Sequence, residues 1–159
     1  MPPLATVGSV VDTDSITLSR VEATAVLGAA LVLVSMPLPW VGGMARGTPG
    51  YAYGAVSPLL AVGGLLCTIF AVTDPYPRTR YALLSLVGVT QTAWGVILVL
   101  GIPTGGLGLG VPVFILGGLL IASGGYIALR RETSTLKATT VVCGGGLILT
   151  TTLLIVVIG

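Results

Sequence analysis

The stretch "LRRETSTLKATT", residues 129–140, gathers three of the chain's seven basic residues and one of its five acids between two long apolar runs. Across all 159 residues only 8% are charged, 54% are hydrophobic, and the mean hydropathy is +1.07. A soluble domain carries about 25% charged residues. So few charges cannot dress a water-facing surface, and the composition is that of an integral membrane protein. The clustering at 129–140 then reads as a topological signal, a short polar turn between two membrane crossings.

Working outward from that turn, Gly and Pro punctuation divides the chain into five apolar runs, 21–41, 55–72, 81–101, 111–129 and 138–158. Each is close to the ~20 residues a helix needs to cross about 30 Å of hydrocarbon. Helices are required because an isolated strand would leave its backbone N–H and C=O groups unpaired in lipid. The expected fold is an all-α integral membrane bundle of five transmembrane helices. Ser19 and Glu22 in "SRVE" have capping-box spacing at the start of the first helix.

The tail 1–20, "MPPLATVGSVVDTDSITLSR", carries Asp12 and Asp14 ahead of its first basic residue, Arg20, and so lacks the basic start of a signal peptide. It is expected to be retained on the cytoplasmic side, flexible or docked on a partner. With five crossings, Arg20, Arg78, Arg80, Arg130, Arg131 and Lys137 fall on one side and only Arg46 on the other. The positive-inside rule places the amino terminus inside and the carboxyl terminus outside. All five acids, Asp12, Asp14, Glu22, Asp74 and Glu132, share the inner side. Trp40, Tyr51 and Tyr53 are expected at the outer headgroup level and Tyr76, Tyr81 and Tyr126 at the inner. Trp94 is the exception, about 10 Å below the outer surface by helical rise.

Lipid tails are as apolar as leucine, so membrane helices associate through small residues and a few interhelical hydrogen bonds. Stripes of small residues follow in each run: Ala25, Gly28, Ala29 and Ser35; Ser57, Ala61, Gly64, Thr68 and Ala71; Ser85, Gly88, Thr92 and Gly95; Gly117, Gly118, Gly124, Gly125 and Ala128; Thr139, Cys143, Gly146 and Thr150. They predict one compact bundle with left-handed crossings. A four-span arrangement with the fifth run peripheral is the competing architecture. The prolines fall in loops or in first or outer turns, where a missing N–H costs little.

Chemistry is sparse. The chain has no histidine, and its Asp, Glu, Lys and Arg residues all fall outside the helix interiors expected here. Proton relays, general acid–base pairs and metal sites lack their parts, so no enzyme, cofactor or metal is expected. Lys137 is read as a loop residue, which excludes a buried Schiff base. Cys67 and Cys143 lie inside apolar runs as small hydrophobes. The loop "GIPTGGLGLG" (101–110) is read as a flexible outer turn and not a phosphate cradle, since no strand precedes it and no Lys follows it. The one polar group near a helix midpoint is Gln91, flanked by Thr90 and Thr92 and sharing a face with Gly88 and Gly95. Its amide is expected to bond across to a neighbouring helix or carbonyl. Gln91, Thr92, Gly88, Gly95, Gly64 and Gly146 are the expected packing and polar contacts. Arg78, Arg80, Arg130, Arg131 and Lys137 are the expected inner-face contacts to lipid or partner.

The helix ending in "LVSMPLPWVGG" (33–43), followed by a Gly/Tyr-rich loop and helices bearing "GGLL", resembles small multi-span membrane proteins of unassigned function from halophilic archaea and high-GC bacteria. Small spanning proteins of archaeal viral envelopes look similar too. The resemblance implies a membrane-organising role in a prokaryotic plasma membrane or a virion membrane, with no active residues to carry over. The expected function is a structural or assembly component whose partners are the bilayer and other membrane proteins or further copies of itself, without nucleic acid. A small oligomeric channel or transporter subunit is the alternative.

Overall fold

A computed structural model describes residues 20–42, 47–52, 55–73, 77–101 and 106–158. The tail before Arg20, with Asp12, Asp14 and Ser19, lies outside the described residues, as do Arg46, Tyr53, Asp74 and Tyr76. Five helices account for most of what is described: α1 (Arg20–Ser35), α2 (Val56–Thr73), α3 (Pro77–Gly101), α4 (Gly110–Glu132) and α5 (Thr135–Ile158). Segments Arg78–Gly101, Gly110–Glu132 and Thr135–Val156, each with a mean hydropathy of 1.9, are long and apolar enough to cross a membrane. Their length and composition are consistent with a membrane location. At about 1.5 Å per residue, the 16 residues of α1 span only about 24 Å.

Helix α1 stops well before residue 41, where the hydropathy pattern alone would end it, and two prolines are the cause. Pro37 and Pro39 have no N–H to give to the carbonyls of Leu33 and Ser35, four residues back. Those carbonyls take shorter bonds instead, from the N–H of Met36 (3.1 Å) and of Leu38 (3.2 Å). The chain then runs extended as β1 (Pro39–Val41), antiparallel to β2 (Thr48–Pro49), before a turn of 3-10 helix at Gly50–Ala52. The fold is therefore helical with a small β cap, rather than wholly α. At their charged ends α3, α4 and α5 extend about a turn further than hydropathy suggests. Pro77 opens α3, a position where its missing N–H is no loss. Arg78, Arg80, Arg130 and Arg131 thus lie on helices, and Lys137 sits in the first turn of α5 rather than in a loop.

Helix α4 is the centre of the bundle, with its largest interfaces against α3 and α1; α2 closes the group by packing on α3 and α1. The α4 interfaces are backbone against backbone. A Cβ on Gly28 would lie 2.7 Å from the Gly117 carbonyl oxygen, and one on Gly117 would lie 2.7 Å from that of Gly28. On the other side of α4, a Cβ on Gly88 would lie 2.7 Å from the Gly118 oxygen, and one on Gly125 2.7 Å from the Ser85 nitrogen. The glycines facing α1 (Gly110, Gly117, Gly124) and those facing α3 (Gly118, Gly125) recur every seven residues, the repeat of a left-handed crossing. Val32, Leu84, Phe114 and Ile121 fill the interior between them.

Helix α5 follows α4 after a two-residue turn but packs chiefly on α3. Over its candidate span only 11% is buried, against 44% for α3 and 50% for α4. Ala138, Val142 and Gly146 form its buried face, so Thr139 and Cys143 sit one residue off it and are exposed. The sequence marks that face poorly because α5 is apolar on every side.

Gly117→Val or Gly88→Val is expected to lower stability by about 1–3 kcal/mol or more through overpacking. Gly144→Ala, where an added Cβ meets nothing within 4 Å, should be neutral or slightly stabilising. Titration with a denaturing detergent, followed by circular dichroism, separates the two classes.

Candidate functional site

Two places carry polar chemistry. The first is the seam between α2 and α3. Gln91 is fully buried, and its Nε2 donates to the Leu60 carbonyl oxygen at 2.8 Å, across from α3 to α2. The approach is possible because residue 64 is glycine, where any Cβ would collide with the Gln91 amide. Toward the capped end, the buried Trp94 indole N–H donates to Ser57 Oγ at 3.3 Å, a second bridge between the same helices. The Oε1 of Gln91 is buried without a hydrogen-bond partner among the described residues.

Most other buried or half-buried hydroxyls turn inward on their own helix. Thr68, Ser85, Thr90 and Thr92 each donate to the carbonyl four residues back at 2.8 Å. A hydroxyl satisfied in this way behaves as a small side chain, so these residues permit close approach rather than link helices. Gly95 lies against Ile115 on α4, and Gly146 against Val89 on α3, where a Cβ would come within 2.6 Å of the valine. Beside the seam, a groove of about 240 Å³ opens between α2, α3 and α5, lined by Leu60, Gly63, Gly64, Cys67, Thr90 and Leu153 among others. Cys67 on α2 and Cys143 on α5 are free thiols. Among the described residues no three His, Cys, Asp or Glu side chains come together as a metal site.

The second place is the charged end, where all the described ionisable Asp, Glu, Lys and Arg side chains lie: Arg20 and Glu22 on α1, Arg78 and Arg80 on α3, Arg130, Arg131 and Glu132 on α4, and Lys137 on α5. Arg80 reaches Glu22 at 3.7 Å, its guanidinium lies 4.7 Å from the centroid of the Tyr81 ring, and its Nη2 donates to the Tyr81 hydroxyl at 2.9 Å. With side chains only 19% and 15% exposed, the Arg80–Glu22 pair is better shielded from water than an ordinary surface ion pair. Arg130 Nε donates to Thr135 Oγ1 (3.2 Å) across the α4–α5 turn, and Ser134 Oγ accepts the Lys137 backbone N–H (3.4 Å) as a cap for α5.

At the opposite end the structure departs from the aromatic-belt expectation for Trp40, which is fully buried. Its indole N–H donates to the Ser35 carbonyl oxygen (2.8 Å), one of the two left short of a donor by the prolines, and its ring meets Phe114 edge-on at 5.1 Å. Gly50 and Gly110 lie flat against the indole, and a Cβ at either would collide with it. Part of the glycine loop closes over this plug. Val41 bridges Leu107, the Gly42 N–H donates to the Gly106 oxygen (2.8 Å), and the Gly108 N–H donates to the Trp40 oxygen (2.9 Å). Residues 106–108 are thus a paired segment, not a free turn. The signal was present as "GLG" at 106–108, since Gly108 has the Pro39 carbonyl where a side chain would be, but its partner lies some seventy residues away.

These features define a helical protein with three candidate membrane-spanning helices. Comparison with known family models, curated proteins and solved structures finds no match for this chain.

Replacing Gly64 by Ala is expected to cost about 1–3 kcal/mol in the native background through overpacking. In a Gln91→Ala background it should cost much less, giving a coupling of about 0.5–3 kcal/mol in a double-mutant cycle. Additive effects of the two changes would show that the amide does not press on α2.

Proposed function

We propose that this chain is a non-enzymatic, five-span component of a membrane assembly, in a prokaryotic plasma membrane or a virion membrane. Its amino-terminal tail and the α4–α5 turn lie inside and its carboxyl end outside. The observation that carries the reading is the contrast between a closely interlocked four-helix unit and α5, which is long, apolar and only 11% buried. Leu136, Leu147, Ile148, Ile155 and Val156 on α5 are each more than 60% exposed, a surface open to lipid, another membrane protein or a further copy. The gathering of the described charges at the end from which α5 starts supports the orientation through the positive-inside rule.

The orientation is tested with cysteines introduced as Ser134→Cys and Gly159→Cys, one at a time, in a chain carrying Cys67→Ala and Cys143→Ala. An impermeant maleimide added to intact cells should label residue 159 and reach residue 134 only after the membrane is opened. Equal labelling of both positions from outside would refute the five-span arrangement.

The assembly role is tested by extraction in mild detergent alongside reconstitution in liposomes. Retention of defined membrane partners or of higher-order copies, with no solute or ion flux, is the expected result. Flux from the purified chain without retained partners would replace this reading with a small oligomeric channel or transporter subunit.

A further inference from the structure

The charged end is not uniformly basic. Arg80 is engaged by Glu22 and Tyr81, Arg20 and Arg131 share a depression with Glu132, and Arg130 is tied to Thr135. Arg78 and Lys137 line a separate cleft of about 370 Å³, formed by the start of α3, the end of α4 and the start of α5. Among the described residues its walls are two cations, two threonines (Thr79 and Thr133) and four apolar residues, with no carboxylate. The lining is also graded. The cations and threonines sit at the helix ends, whereas Ala82 and Val141 lie about a turn further toward the middle of the bundle.

We propose that this cleft holds the phosphodiester headgroup of an anionic phospholipid, with the phosphate between Arg78 and Lys137 and the acyl chains running past Ala82 and Val141. The proposal rests on the reading above that this end lies at a membrane surface. Two cations with no carboxylate among the described lining residues favour a bound anion, and each basic residue near a membrane surface favours anionic over neutral lipid. A free phosphate would meet the same cations but leave the apolar half of the cleft unused. A lipid fills both halves, and the long stems of Arg78 and Lys137 let their charged heads stay at headgroup level.

The full-length chain is taken from vesicles of equal phosphatidylglycerol and phosphatidylcholine into mild detergent, and retained lipid is identified by native mass spectrometry. The native chain should retain phosphatidylglycerol in preference. Arg78→Gln with Lys137→Gln should weaken that preference by about fivefold per charge removed, or about thirtyfold together. The charge-matched Arg130→Gln with Arg131→Gln removes surface charge but none from the cleft, and should weaken the preference several-fold less than the cleft pair does. Arg78→Lys with Lys137→Arg preserves both charges and should also retain the lipid; its failure would assign the effect to packing and overturn the proposal. Equal retention of the two lipids, equal loss in both glutamine pairs, or release of phosphatidylglycerol by added inorganic phosphate would each overturn it as well. Labelling at Ser134→Cys reports independently whether this end faces a membrane compartment. A missing lipid preference with one-sided labelling therefore refutes the cleft and leaves the topology standing.

Discussion

The bundle depends on the close approach of α4 to α1 on one side and to α3 on the other. In hydrocarbon, helices gain nothing by hiding leucine from lipid, so van der Waals contact at short range has to hold them together. That contact needs glycine on both partners, as at Gly28 with Gly117 and at Gly88 with Gly118, where a single added carbon would meet the facing helix's backbone at about 3 Å or less. Once α1, α3 and α4 are in register, the remaining features fall into place. Gln91 can reach the Leu60 carbonyl because α2 also presents a glycine, and Trp40 can lie flat because Gly50 and Gly110 leave room for it.

The two ends of the bundle are closed by different physics. At one, charge decides: Arg80 with Glu22 and Tyr81 fastens α3 to α1, while the other cations remain at the rim where long side chains keep their heads wet. At the other, covalent geometry decides: two prolines strip the last carbonyls of α1 of their usual donors, the indole of Trp40 supplies one, and two loops pair over it. Two openings contrast in their lining, the groove beside the α2–α3 seam and the basic cleft. The first is apolar along most of its wall, and the second joins cations to an apolar floor.

Helix α5 stands apart. Its face of Ala138, Val142 and Gly146 is enough to seat it on α3, but most of its surface remains outside the unit. A helix with strong mutual interlocking on two sides, as α4 has, is committed to its own chain. One held by a single narrow seam keeps its remaining faces for whatever surrounds it.

The sequence by itself determined that the chain is helical and membrane-like in composition, where its helices lie to within about a turn except at the end of α1, and that the described charges belong together. Those properties follow from composition, from Gly and Pro, and from the cost of bare peptide groups in lipid, which are local or additive. The small-residue stripes were legible on α1 to α4 for the same reason: Ala25, Gly28, Ala29 and Ser35 are all buried, as are Ser85, Gly88 and Gly95. Only the tertiary structure decided which glycine faces which helix, which carbonyl receives Gln91, and that Trp40 is a buried plug under a β cap rather than a headgroup anchor. It also decided that α5 turns Ala138 and Val142 inward rather than Thr139 and Cys143. Each of these is set by contact between segments distant along the chain, and a residue's own neighbours carry no record of that distance.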